Sequence, residues 1–435
     1  MNWIRQALHR VKNKDSSPAG RTTAILANEG LLSAVMLIFA TSYTSMFALR
    51  IGATDQQVGL ISSLPQLFAL LVMIPGALLA SRLSDRRRPV EISLLLAGFI
   101  YGLAGFSPYL GDVRVWYFIG LISLANAPVA LYTTSWQNYF SDIIPAEQRN
   151  AVYTRRTSRT FIASVITVQA IGLILGGART DTIRITLYQC CYWLAFAVSL
   201  LQCLVLRRAP SCVRETARIT WRDFGQALRV LAHSRRFLAF AFISFILHAG
   251  WYMAWPLFTL IQVRYIGADE TWLSLVALAN YLVPWLTMPF WSKFIEKHGI
   301  RFTLVIGCLG MIISPITTLI DAYLPPAWML PALVFTNCIY GLTFGAFQLT
   351  ILQCLLEVVP LQNKPLNLSL YTAGILLTNA VLPTLGVQLY AALGSDLRGM
   401  TLAMTVSILL RTIGTVLFFC RWLRLRREPD SGMRA

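Results

Sequence analysis

Charge is scarce in this sequence. Only 13% of its 435 residues are Asp, Glu, Lys or Arg, where a soluble domain carries roughly a quarter. Acid is scarcer still, with 19 carboxylates against 37 basic residues and four histidines. No Walker-type phosphate loop, dinucleotide fingerprint, zinc-ligand spacing or nucleophile motif occurs. ATP-driven pumping and intramembrane catalysis therefore have no support, and the chain is read as a non-enzyme that needs no cofactor or metal. Eight cysteines are present, and all but Cys212 fall inside apolar runs or at their ends. Their spacing matches no disulfide framework, zinc site or redox pair.

Hydrocarbon is what the chain has in abundance. Hydrophobic residues make up 56% of it and mean hydropathy is +0.60. Apolar runs near twenty residues recur along its length, each enough to cross about 30 Å of bilayer core. Six are assigned at 24–48, 57–80, 90–110, 115–136, 160–178 and 185–206, and six more at 237–262, 271–290, 302–322, 328–352, 367–390 and 399–420. A barrel would show short alternating segments, so the class is an all-α integral membrane protein of twelve transmembrane helices. Arg5, Arg10, Lys12, Lys14 and Arg21 precede the first run, which lacks a small-residue cleavage site and reads as a retained span.

A net charge of +18 raises the question of nucleic acid. The basic residues lie in short segments between apolar runs, which sets topology and does not build a nucleic-acid groove. With twelve spans the segments alternate sides. Thirty basic residues then fall with the two tails and the segments after spans 2, 4, 6, 8 and 10, against six on the other side: Arg50, Arg114, Arg179, Arg184, Arg264 and Arg398. The asymmetry predicts cytoplasmic termini in a multi-pass protein of the cell's inner membrane.

The two sets of six spans also repeat. Ser81-x-x-x-Asp85-Arg86 matches Ser292-x-x-x-Glu296-Lys297, Asp142-Ile143-Ile144-Pro145 matches Glu357-Val358-Val359-Pro360, and Leu206-Arg207-Arg208-Ala209-Pro210 matches Leu425-Arg426-Arg427-Glu428-Pro429. The order is conserved and the offset nearly constant, which indicates a duplicated six-span unit in parallel orientation. The expected parts are a cytoplasmic tail at 1–23, a first half at 24–206, a linker at 207–236, a second half at 237–420 and a carboxyl tail at 421–435. Within the linker, Thr220 and Asp223 form a capping-box pattern ahead of Phe224, Leu228 and Leu231. With Trp221 on the same face and Arg222, Arg229, Arg235 and Arg236 interspersed, this segment reads as an interfacial helix or as a plain tether.

Duplicated halves, inside termini and basic loops after spans 2 and 8 together resemble the major facilitator superfamily (MFS), in architecture over the whole chain. Its loop motif is similar to Ser81-Arg82-Leu83-Ser84-Asp85-Arg86-Arg87-Arg88-Pro89 and to Ser292-Lys293-Phe294-Ile295-Glu296-Lys297-His298-Gly299-Ile300-Arg301, although both copies replace the leading Gly by Ser and the first lacks the inner Gly. Asn28-Glu29-Gly30, Leu49-Arg50-Ile51-Gly52-Ala53-Thr54 and Pro145-Ala146-Glu147-Gln148-Arg149-Asn150 look like stretches of poorly characterised bacterial members. The antiporter signature of span 5 is absent, and Gly172, Gly176 and Gly177 keep only a small-residue packing pattern. The resemblance implies two pseudo-symmetric six-helix bundles and a secondary transporter of a small organic solute working by alternating access. It implies a cytoplasmic gate at Asp85, Arg86, Arg88, Glu296, Lys297 and Arg301, for which a topology signal alone is the other reading. The expected partners are the bilayer, the small-molecule solute and, for coupling, protons; nucleic acid is excluded and a monomer is expected. A non-transporting assembly factor or sensor on the same fold is the alternative.

Three ionisable residues lie clearly within spans: Glu29, His248 and Arg411. Each is costly in lipid and so a functional candidate. Glu29, about two turns from the cytoplasmic edge and shallow enough for water, reads as a packing residue or a proton carrier. His248 reads as a structural histidine or a second coupling candidate. Arg411 needs a partner, and Glu357 at the end of span 10 is the expected one. Trp251, Tyr252 and Trp255 share a helical face with His248, as a cavity lining for a flat or amphipathic solute or as interfacial packing. Polar residues at similar depth are Tyr43, Thr44, Gln66, Asn126, Thr133, Asn280, Tyr340 and Gln348. The resemblance places the path along spans 1, 4, 7 and 10, so these residues fit a polar cavity. No carboxylate sits at a midplane, which disfavours a tightly bound cation.

Overall fold

In hydrocarbon an unpaired backbone group has no water to bond, so each apolar run closes its hydrogen bonds within itself as a helix. A computed structural model describes residues 18–81, 83, 85–213, 221–360 and 364–427. Among these, every regular element is helical apart from an isolated bridge between Asp85 and Val213. Span 1 comprises Pro18–Thr41 and Thr44–Arg50, followed by span 2 at Asp55–Ser81, span 3 at Arg87–Ala104, span 4 at Arg114–Ile143, span 5 at Ala146–Gly176 and span 6 at Asp181–Leu206. A further helix, Trp221–His233, precedes span 7 at Arg235–Leu260, which ends in a π-helical turn, Ile261–Tyr265. Spans 8 to 12 are Glu270–His298, Ile300–Ala322, Pro326–Leu356, Lys364–Ala392 and Leu397–Arg427. Eleven of the described helices are long and apolar enough to cross a bilayer. Span 3 is the twelfth; its 18 residues include Arg87, Arg88 and Glu91.

Several helices outrun their apolar runs. Span 5 starts at Ala146 and span 12 continues to Arg427. Hydropathy marks the part of a helix that sits in hydrocarbon, whereas the backbone stays helical into the polar boundary wherever no Pro or Gly stops it. The charged segment 149–159, counted above as a connection, is therefore helix. Of the expected interfacial helix, Trp221–His233 is described. Its Leu231 is buried and its Leu228 is 60% exposed, while Thr220 and the side chains of 221–224 lie outside the described residues.

The packing divides the chain into two units, residues 1–52 with 68–219 and residues 53–67 with 220–435. In the first unit span 1 packs on spans 5 and 6, and span 3 on spans 4 and 6. The same pairings recur in the second, span 7 on spans 11 and 12 and span 9 on spans 10 and 12. The sequence boundaries put all of span 2 in the first half, whereas its amino-terminal part groups with the second unit. Within that unit Asp55 pairs with Arg264. The Thr384 N–H donates to Ser63 Oγ at 3.0 Å, beside Pro383, whose ring prevents a regular helical ladder there.

Arg411 is 1% exposed, and the pair expected between it and Glu357 does not form. Glu357 instead accepts from Arg301 Nε at 2.9 Å. Arg411 spends its donors on backbone carbonyls, Nη1 on Met311 (2.5 Å), Nε on Gly250 (3.3 Å) and Nη2 on Trp251 (3.5 Å). The Met311 carbonyl is open because its helical partner would be the N–H of residue 315, which is Pro. Ser407 Oγ donates to the Gly250 carbonyl as well, at 2.6 Å. This contact requires a glycine, since a Cβ there would lie 2.8 Å from the Ser407 carbonyl oxygen and 2.9 Å from Arg411 Cγ. Gly250→Val is expected to cost about 1–3 kcal/mol through overpacking, seen as a lowered melting midpoint of the purified protein. Gly225→Ala, where a Cβ meets nothing within 4 Å, is expected to leave the midpoint unchanged or raise it.

Candidate functional site

Two clusters form around the intramembrane candidates, one in each unit. In the first, Glu29 is fully buried, not within reach of water as its sequence position suggested. Its Oε1 accepts from the Tyr132 hydroxyl and from Gln202 Nε2 at 2.8 Å. Its Oε2 accepts from Trp136 Nε1 at 3.1 Å and from Arg156 Nε at 3.2 Å. Spans 4, 5 and 6 thus all donate to one carboxylate on span 1. The Arg156 guanidinium also lies 3.9 Å from the centre of the Trp136 ring. The Asn28-Glu29-Gly30 stretch acquires a physical meaning here. Asn28 Oδ1 accepts from Arg159, Glu29 takes Arg156, and Gly30 leaves room for the arginine stem, because a Cβ would meet Arg156 Cγ at 2.5 Å.

In the second unit, His248 is 6% exposed and its Nδ1 donates to the Ser244 carbonyl at 2.8 Å. Ser244 Oγ lies 2.5 Å from the Tyr371 hydroxyl. A neutral ring that donates from Nδ1 keeps its lone pair on Nε2. The His248 ring packs 5.7 Å from Trp251, 5.6 Å from Tyr252 and 6.0 Å from Phe347, centre to centre. Trp251 and Tyr252 stack at 5.3 Å and 12°, and Trp255, 41% exposed, closes on both. Phe344 of span 10 bridges Trp251 to Tyr340 at 5.6 and 5.1 Å. The span 7 stripe is therefore brought together with Tyr340, through two phenylalanines of span 10.

The sequence profile of the Major Facilitator Superfamily matches residues 26–247 and again residues 240–434. The chain belongs to that superfamily. No curated protein sequence matches it significantly. Among solved structures, the nucleoside transporter NupG superposes with a TM-score of 0.68 at 14% identity, covering 94% of this chain and all of that one. A bacterial homologue of the human lysosomal transporter Spinster gives 0.66 at 14%, over 96% of this chain and all of its own. The xylose transporter XylE from E. coli gives 0.64 at 12%, over 95% and 100%. Identities this low establish the fold: a multi-pass, bilayer-embedded transporter fold of the superfamily.

Of the loop motif's first copy, Arg82 and Ser84 lie outside the described residues. Asp85 Oδ1 accepts the Arg87 N–H at 3.0 Å, at the first residue of span 3. The Arg86 N–H donates to the Cys212 carbonyl at 3.0 Å, and Arg87 Nη1 donates to the carbonyls of Arg207 and Ala209, both at 2.9 Å. Arg86 Nε lies 3.6 Å from Asp142 Oδ2. In the second unit the matching acid, Glu357, pairs with Arg301, four positions beyond Lys297, the residue that the loop-motif match sets opposite Arg86. Arg88, Glu296 and Lys297 are exposed.

The remaining polar candidates are scattered. The Tyr43 hydroxyl donates to the Val168 carbonyl at 3.0 Å, and Thr44 Oγ1 donates to the Thr41 carbonyl at 2.9 Å. Asn126 and Thr133 bond back to their own helix. Gln66 and Asn280 are half-buried and Gln348 is exposed; Asn280 Oδ1 is buried without a hydrogen bond among the described residues. Sequence reasoning missed Tyr132, Trp136, Arg156 and Gln202. Arg156 was counted as a topology charge, yet it lies about 15 Å into span 5, ten residues at roughly 1.5 Å each. Glu29→Gln is expected to cost about 3 kcal/mol, because it strands the Arg156 charge in a buried site. Adding Arg156→Met is expected to return part of that loss, as a coupling above about 0.5 kcal/mol in a double-mutant cycle on the purified protein.

Proposed function

We propose that the chain is a secondary transporter of a small, flat organic solute. It works by alternating access in the inner membrane with both termini in the cytoplasm, and it acts as a monomer and not as an enzyme. The observation that carries this reading is the aromatic and imidazole surface of spans 7 and 10. His248, Trp251, Tyr252, Tyr340 and Phe344 form a continuous ring cluster whose edges keep polar atoms. Rings of this kind supply large apolar faces to a planar solute, and the hydroxyl, indole N–H and imidazole groups fix its orientation. Gln66, Asn126, Thr133, Asn280 and Gln348 are assigned to the polar remainder of the path.

Proton coupling is assigned to His248 in preference to Glu29. Both oxygens of Glu29 already accept two bonds each, so protonation would set a donor against a donor. His248 has Nδ1 engaged, and among the described residues its Nε2 makes no hydrogen bond and can exchange a proton. The loop residues Asp85, Arg86 and Arg301 act as population-setting contacts at the cytoplasmic ends, each holding a loop to a helix end. Purified protein in liposomes is expected to show counterflow of a planar solute found by thermal-shift screening. His248→Phe is expected to abolish accumulation driven by a pH gradient while leaving counterflow measurable, and Trp251→Ala is expected to weaken solute affinity about two- to tenfold, the worth of an aromatic contact. Retention of a fixed protein partner without flux of any solute would instead support the assembly-factor reading.

A further inference from the structure

A second charged constellation lies away from both clusters, at the end of the second unit that carries its basic segments. There the start of span 9, the end of span 10 and the end of span 12 border a narrow cleft that opens to the outside, floored by Phe240 and Phe418 and edged by Trp422. Arg301 and Arg421 line it together with Glu357. The single carboxylate is engaged by Arg301. Arg421 makes no hydrogen bond or ion pair among the described residues and stands 5.3 Å over the Phe240 ring. Arg426 stands 5.5 Å over Trp422, and Arg236 is near enough to Arg421 to repel it. Two guanidiniums, Arg301 and Arg421, thus line the cleft with one acid, over an aromatic floor, and Arg236 and Arg426 add positive charge nearby.

We propose that this cleft binds the phosphate of an anionic ligand, with a glycerophospholipid of the surrounding leaflet as its source. The half-buried Arg421 contributes unused donors in a planar fork that matches phosphate oxygens. Like charges crowded at a helix end are relieved by an anion, and basic pockets between helices near the headgroup level are where anionic lipids settle. The aromatic floor offers an apolar surface for the start of an acyl chain, and Trp422 is of the residue type that gathers at the membrane interface. The site is separate from the proposed solute path and does not depend on transport.

The test uses the full-length purified protein, stripped of lipid in a neutral detergent. It is titrated separately with phosphatidylglycerol, phosphatidylcholine and inorganic phosphate, with binding read by native mass spectrometry and stability by melting midpoint. Phosphatidylglycerol is expected to remain bound at one per chain and to raise the midpoint, while phosphatidylcholine does neither. Arg421→Gln and, at the exposed rim, Arg426→Gln are each expected to weaken phosphatidylglycerol binding about fivefold, the loss expected per basic residue. Arg421→Lys is expected to keep most of it. A stabilisation by inorganic phosphate equal to that by the lipid would identify a soluble phosphate compound as the ligand. Equal retention of both lipids with no response to phosphate would overturn the proposal, as would unchanged phosphatidylglycerol binding in both glutamine variants.

Discussion

Inside a bilayer core no solvent competes for polar groups, so each donor and acceptor must meet a partner supplied by the protein. The chain meets that constraint at three kinds of place. Its backbone closes into helices. Where proline interrupts the ladder, as at Pro315, a buried arginine from another helix covers the exposed carbonyl. Where a carboxylate is buried, as at Glu29, four donors from three other helices surround it. Each solution binds helices together at the point where a polar group would otherwise be expensive, so the polar residues of this apolar protein are also its cross-braces.

The two units are alike in their packing and differ in their polar groups. The same helix pairings recur, and in each unit the acid closing span 4 or span 10 pairs with an arginine near the start of span 3 or span 9. Near corresponding positions, however, the first span of one unit carries Glu29 against Tyr132, and that of the other carries His248 against Phe347. One unit spends its polar groups on a closed network. The other packs aromatic rings around a histidine whose Nδ1 is held by the Ser244 carbonyl.

The fold was legible in the sequence because it is written in long, redundant signals. Span count, helical class and repeat each follow from tens of residues acting together. The sites were legible only as far as single residues could be seen to be costly: Glu29, His248 and Arg411 stood out by their cost in lipid. Their partners did not. Arg156 looked like one topology charge among several, because hydropathy cannot show that a helix extends past its apolar run. The partner of Arg411 was sought among acids, whereas the structure supplies carbonyls, and the relevant signal was a proline in a different span. Span 2 was assigned whole to one half because chain order is silent about which neighbours a long helix meets along its length; Asp55 and Ser63 find theirs on spans 7 and 11.

The bond from Arg411 to Met311 also has a consequence for how this sequence can drift. Were residue 315 to regain an amide hydrogen, that hydrogen would claim the carbonyl and leave a buried cation short of an acceptor. Were the arginine lost first, the proline would leave a bare oxygen in hydrocarbon. Either step alone is penalised, so the two positions should be inherited as a pair, and relatives should carry both residues or neither.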